Sequence, residues 1–122
     1  MEKQKTIFSD IDGTIIDQVN FDELNEECNI LEGVYEKFKE WNELGHYIVL
    51  TTARPEEFRE ITENQMKSIG IEYDQLVMGI GRGKRYLINN TSPKKPDINR
   101  SIGIPVLKDG GFKNILWKVL GL

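Results

Sequence analysis

Short solid apolar runs alternate with longer stretches in which apolar residues return every three or four positions. Thr6, Ile7, Phe8 and Ser9 form a β-prone run that stops at the turn Asp10-Ile11-Asp12-Gly13-Thr14, predicting a first strand and a loop. Over 32–44, Val34, Phe38, Trp41 and Leu44 follow at spacings of four, three and three, the period of an amphipathic helix, and Gly45 ends it. The run 47–52 is continuously apolar until its closing hydroxyls, as in a strand buried on both faces of a parallel sheet. A second helix is predicted over 56–69, where Phe58, Ile61, Met66 and Ile69 recur before Gly70. Two more short runs, 75–78 and 86–88, flank a glycine-rich stretch and predict a third and a fourth strand. Ile115, Leu116, Val119 and Leu120 predict a closing helix over 112–120.

Strands that alternate with helices imply right-handed crossovers and a parallel sheet covered on both faces. The expected fold is a Rossmann-like α/β domain, a three-layer α/β/α sandwich spanning 1–122 as a single unit. Ligands of such sheets bind beyond the carboxyl ends of the strands, where Asp10, Thr52 and Asn90 would converge.

Composition narrows the partners. With 122 residues, 39% hydrophobic and 30% charged, the chain has the make-up of one globular domain, and its net charge of −4 offers no general attraction for nucleic acid. Arg82, Lys84, Arg85, Lys94 and Lys95 form one local basic stretch, either a solvated surface or a meeting point for an anion. The single cysteine, Cys28, lies among acids that disfavour a thiolate and reads as idle. No run of about 18 apolar residues appears, so no membrane span and a cytoplasmic location are expected. His46, at the entry to the second strand, reads as structural, and Trp41 and Trp117 read as packing residues.

Two carboxylates spaced by two after an apolar strand suit one group that attacks and another that moves protons. The string Phe8-Ser9-Asp10-Ile11-Asp12-Gly13-Thr14-Ile15 resembles the first motif of the haloacid dehalogenase superfamily, and weaker resemblances continue through about residue 93. The resemblance implies that Asp10 attacks phosphorus to give an aspartyl-phosphate. It gives Asp12 the role of general acid and base, and places Gly13 in the phosphate-binding loop. Leu50-Thr51-Thr52-Ala53-Arg54-Pro55 resembles the second motif, which makes Thr52 the phosphate-binding hydroxyl. The third motif is a cation, Lys84 with Arg82 in reserve.

The resemblance also implies Mg²⁺, held by Asp10, by Asp12 through its carbonyl, and by a residue after the fourth strand. That last place is taken by Asn89-Asn90 in Tyr86-Leu87-Ile88-Asn89-Asn90, where the family usually has an acid. A neutral amide attracts Mg²⁺ less than a carboxylate does, so Asn90 weakens the expected site unless Asp97 or Asp17 supplies a carboxylate. No cap domain fits between the motifs; residues 15–31 suffice for a small flap carrying Phe21 and Leu24. An uncapped site is covered by a large substrate or by a homo-oligomer. The expected activity is hydrolysis of a phosphomonoester, with a sugar phosphate or polysaccharide precursor as the leading class. The alternatives are a phosphotransferase and a catalytically impaired phosphate- or metal-binding module.

Overall fold

The computed structural model describes residues 3–95 and 99–122. Its regular elements are β1 (Thr6–Asp10), α1 (Val34–Glu43), β2 (Tyr47–Thr51), α2 (Arg59–Ser68) and β3 (Gln75–Val77), with single 3-10 turns at Phe21–Glu23 and Glu56–Phe58. The three strands are parallel in the order β1-β2-β3, paired from Thr6↔Tyr47 to Asp10↔Thr51 and from Val49↔Gln75 to Thr51↔Val77. All three therefore end at one level, and the chain leaves that level three times.

Both helices end in the same way. After α1, the Gly45 N–H donates to the Asn42 carbonyl and that of His46 to Trp41; after α2, Gly70 donates to Lys67 and Ile71 to Met66. This double closure turns the chain directly into the next strand or its approach. His46 is structural as expected: it is buried, and its Nδ1 accepts the Lys5 N–H at 3.1 Å.

Alternation along the strands shows which face is covered. Ile7 and Ser9, Ile48 and Leu50, and Leu76 are buried, and the apolar members of that face share one core with Val34, Phe38 and Trp41 of α1 and Met66 of α2. A β1-β2-β3 order with right-handed crossovers puts both helices on this one face. The opposite face carries Phe8, 55% exposed, and Val77, also exposed, while Val49 of the central strand is buried on it. The architecture among the described residues is thus a three-stranded parallel α/β sheet with one helical layer.

Two expected elements do not form. The run Tyr86-Leu87-Ile88 lies in a segment without regular structure, with Tyr86 83% and Ile88 93% exposed. A parallel strand needs a crossover of about a dozen residues or more, and only 78–85 separate this run from β3. The tail over 112–120 forms turns, not a helix. Phe112 and Trp117 both pack on α1, with ring centroids 4.9 Å from each other and 6.1 and 5.4 Å from Trp41. Residues five apart on a helix point about 140° away from each other, so a helix could not bring both rings to that surface. No helix among the described residues is long and apolar enough to cross a membrane.

Candidate active site

The loop after β1 is built by its isoleucines. Ile11, Ile15 and Ile16 are fully or almost fully buried, and the Ile11 carbonyl accepts the N–H groups of Thr14, Ile15 and Ile16. Sinking Ile11 turns its neighbours Asp10 and Asp12 the other way, towards an open crevice of about 530 Å³ at the carboxyl ends of the strands. Gly13 adopts φ +80°, and a Cβ there would lie 3.1 Å from the Lys108 side chain. Its N–H is spent on the Ile16 carbonyl at 2.7 Å, so Gly13 shapes the loop and does not offer its amide to a phosphate.

Asp10 ends β1 and accepts the Thr14 hydroxyl at 3.1 Å. Burial pushes its carboxyl above the ordinary aspartate value. The Thr14 hydrogen bond, the charge of Arg85 and a hydrogen bond from the Ile11 amide pull it part of the way back, while Asp12 adds to the rise. Thr52, one residue past β2, lines the same crevice and is nearly fully buried. Its Oγ1 accepts the Arg54 N–H at 3.1 Å, which leaves the hydroxyl proton to donate.

Asp12 has a partner that sequence reading did not assign. Arg54, fully buried, donates from Nε to Asp12 Oδ2 at 3.0 Å and from Nη2 to Oδ1 at 2.8 Å. Its Nη1 donates to Thr62 Oγ1 at 2.8 Å and Gln65 Oε1 at 2.7 Å, both on α2. Gln65 in turn donates from Nε2 to the Asn25 carbonyl at 2.6 Å, and Asn64 and Ser68 also hold Glu26. One buried guanidinium therefore aims Asp12 and ties it, through α2, to the expected flap. The only signal in the sequence was an arginine two residues beyond Thr52 at the mouth of a buried strand.

The cations differ by one position from the expectation. Arg82 and Arg85 line the crevice; Lys84 is exposed and outside it. The Arg82 guanidinium lies 5.0 Å from the Phe21 ring centroid, and Phe21 in turn packs on Phe58 at 5.9 Å, so the flap holds one of the arginines. An irregular segment has no fixed alternation, and spacing alone could not tell Lys84 from its neighbours.

Asn90 is exposed, accepts a hydrogen bond from Arg100 at 3.1 Å and does not line the crevice, because the strand meant to carry it is not in the sheet. Asn89 is exposed as well. Asp17 accepts from Asn29 instead of facing Asp10. Asp97 lies outside the described residues. Asp22, from the flap, does line the crevice and was not anticipated. Cys28 is half-buried, and burial raises its thiol above the ordinary value, consistent with an idle residue.

No family model matches the chain, and no curated protein matches it. Solved structures do. A chain of the Pnkp1/Rnl/Hen1 complex matches with a TM-score of 0.54 and 24% identity over 68% of this protein, and a chain of the Pnkp1/Rnl/Hen1 RNA repair complex does so over 67%. The crystal structure of an MCSG target from Vibrio cholerae matches with a TM-score of 0.54 and 18% identity, covering 79% of this protein and 90% of that chain. This protein spans only 30% and 27% of the two RNA-repair chains. At these identities the likeness is one of fold.

Proposed function

We propose that the protein is an uncapped phosphomonoesterase of the haloacid dehalogenase type, working through an aspartyl-phosphate on Asp10. The observation that carries this reading is the meeting of Asp10, Asp12 and Thr52 with Arg82 and Arg85 in one crevice at the ends of the parallel strands. The fold-level neighbours are compatible with it.

In the proposed reaction an Asp10 oxygen forms a bond to phosphorus as the phosphorus–oxygen bond to the alcohol breaks. The leaving alkoxide takes a proton from Asp12, which must first have taken one up from water on leaving the Arg54 fork. Water then attacks the same phosphorus, Asp12 takes a proton from that water, and the bond to Asp10 breaks, releasing phosphate. Asp12 makes these transfers only when turned partly out of the Arg54 fork, so the fork sets its resting aim. Thr52, Arg82 and Arg85 bind and spread the charge on the equatorial oxygens.

The described residues do not fit the Mg²⁺ site that the sequence resemblance implies. No group of three acidic, histidine or cysteine side chains is placed to hold a cation among them, and Asn90, the third expected ligand, lies outside the crevice that Asp10 and Asp12 line. No step is therefore routed through the metal. The same two facts favour a second reading, a phosphate-binding module that does not turn over.

Hydrolysis of an aryl phosphate across a wide range of Mg²⁺, with Asp10→Asn as the blank, separates the two. Release lost in the variant supports the enzyme and leads to a screen of sugar phosphates and phosphorylated RNA ends. Absence of release at every Mg²⁺ concentration, with phosphate still bound, supports the module.

Two further expectations refine the site. Arg85→Gln should lower kcat/KM about tenfold or more, the loss of one charge-assisted contact of about 1.5–3 kcal/mol, whereas Lys84→Gln should change it less than about twofold. Equal effects would return Lys84 to the phosphate. The acid limb of kcat/KM should lie above the ordinary aspartate pKa of 3.8, because Asp10 must be ionised to attack and its pKa is raised. A limb at or below that value would assign it to another group.

A further inference from the structure

The flap leaves the Asp10 loop at Ile15 and returns at Leu31, and its two limbs are tied where they meet. The Leu31 N–H donates to the Ile15 carbonyl at 2.9 Å, and that of Asp17 to the Asn29 carbonyl at 3.1 Å. Beyond this root the outgoing limb supplies the crevice with Gln18, Val19, Asn20, Phe21 and Asp22. What holds that limb in place lies far along the sequence, in residues 108–112, none of which lines the crevice.

The Asp109 N–H donates to the Gly13 carbonyl at 2.8 Å, and Asp109 Oδ1 accepts the Gln18 N–H at 3.0 Å. On the returning side the Phe112 N–H donates to the Glu32 carbonyl at 2.7 Å, and Phe112 itself is buried in the core. The approach is so close that a Cβ on Gly111 would collide with the same Glu32 carbonyl. Asp109 is thus anchored by its neighbours and joined at once to the loop of Asp10 and Asp12 and to the first flap residue in the crevice.

The backbone at this place does not suit an aspartate. Among the described residues Asp109 is the one non-glycine with φ in the left-handed region, at +61°. Such a conformation costs an L-residue free energy and persists where the surroundings enforce it, as they do around functional sites. A glycine would adopt it freely, as Gly111 does two residues on at φ +72°. What glycine lacks is the carboxylate on Gln18.

We infer that Asp109 is a positioning residue of the crevice: its carboxylate fixes Gln18, and through Gln18 the flap, over the anion site. The inference rests on the reading of the crevice as a phosphate site for the effect it gives the flap, but not for the clamp itself. The effect reaches the anion through Phe21, three residues beyond Gln18, whose ring lies 5.0 Å from the Arg82 guanidinium. Asp10 ends β1 and Thr52 follows β2, so both keep their places when the carboxylate is removed. Asp109 therefore governs how tightly the anion is held, not how fast the bound one reacts.

The full-length parent, Asp109→Gly and Asp109→Asn decide this together. Glycine relieves the backbone and keeps the N–H on Gly13 but loses the carboxylate; asparagine keeps a side-chain oxygen for Gln18 and tolerates the left-handed region. Hydrogen exchange over 17–31 should be about two- to tenfold faster in Asp109→Gly, the loss of one hydrogen bond, with α1 and β2 unchanged, and should return to the parent rate in Asp109→Asn. The affinity for inorganic phosphate, measured by calorimetry, should fall by the same factor in the glycine variant and recover in the asparagine variant.

Equal exchange over 17–31 in the parent and Asp109→Gly overturns the inference, and so does faster exchange that spreads through α1 and β2, which would make Asp109 a support of the whole fold. A loosened flap with unchanged phosphate affinity overturns it too. A parent that binds no phosphate strikes the reading of the crevice instead, and the clamp then stands or falls on exchange alone. Where the chain hydrolyses an aryl phosphate, Asp109→Gly should raise KM about two- to tenfold and leave kcat within about twofold. A loss carried by kcat would overturn the assignment of Asp109 to binding.

Discussion

Arg54→Ala is expected to cost the fold about 3–5 kcal/mol, the usual penalty for stripping one partner from a buried ion pair. The value should fall towards the lower end of that range, because the Arg54 side chain is 0% exposed but that of Asp12 is 12% exposed. Against a total stability of about 5–15 kcal/mol for a domain, this leaves little margin. The loss has three parts: Asp12 keeps its charge without its fork, and Thr62 Oγ1 and Gln65 Oε1 lose their donor. Thr62 and Gln65 each retain the other bond they make, to the carbonyls of Phe58 and Asn25.

Urea unfolding followed by the fluorescence of Trp41 and Trp117 measures the change. Arg54→Lys should fall between the parent and alanine, since an ammonium keeps the charge but cannot serve a bidentate carboxylate and α2 together. A loss below about 1 kcal/mol for Arg54→Ala, the range of an exposed ion pair, would mean that the fork contributes no more than a surface pair does.

That the fork went unassigned in the sequence, while its carboxylate did not, illustrates what local pattern encodes. The periods of three and four around Val34, Phe38 and Trp41, and the solid run before Thr51, reflect each element's own burial, and their ends fell within two residues of the observed ones for α1 and β2. The second helix splits into the turn Glu56–Phe58 and α2, a local refinement of the same element. Asp10, Asp12 and Thr52 were legible because strand ends mark the crevice in any parallel sheet.

The failures share a different cause. Tyr86-Leu87-Ile88 has a strand's composition, but a parallel strand also needs a crossover, and 78–85 is shorter than the dozen or so residues that one takes. The tail has apolar residues at helical spacing, yet the two that matter, Phe112 and Trp117, are five apart and are drawn to the same face of α1. Arg54 meets Asp12 across 42 positions of sequence, and that pairing exists only once β1, β2 and α2 are assembled.

Asp10→Asn is expected to move activity and stability in opposite directions. Turnover should drop by about 10⁴-fold or more, as when other covalent nucleophiles are removed, because an amide oxygen does not displace an alkoxide from phosphorus. The melting temperature at neutral pH should rise. Burial raises the Asp10 pKa in the folded chain, so folding favours the protonated carboxyl, and stability is fully present below the unfolded-state pKa. It declines as pH climbs through the folded-state value, above which the buried charge opposes folding. Asparagine has no such charge and escapes that decline.

The advantage of the variant should therefore be largest above the folded-state pKa and shrink as the pH is lowered to the ordinary aspartate value, where both side chains are neutral. Thermal melts at several pH values, on parent and variant, read this directly. A variant less stable than the parent at neutral pH would show that the bond from Thr14 and the field of Arg85 outweigh desolvation. Asp10 would then be held as an anion by its surroundings instead of being poised, at a cost to the fold, for attack.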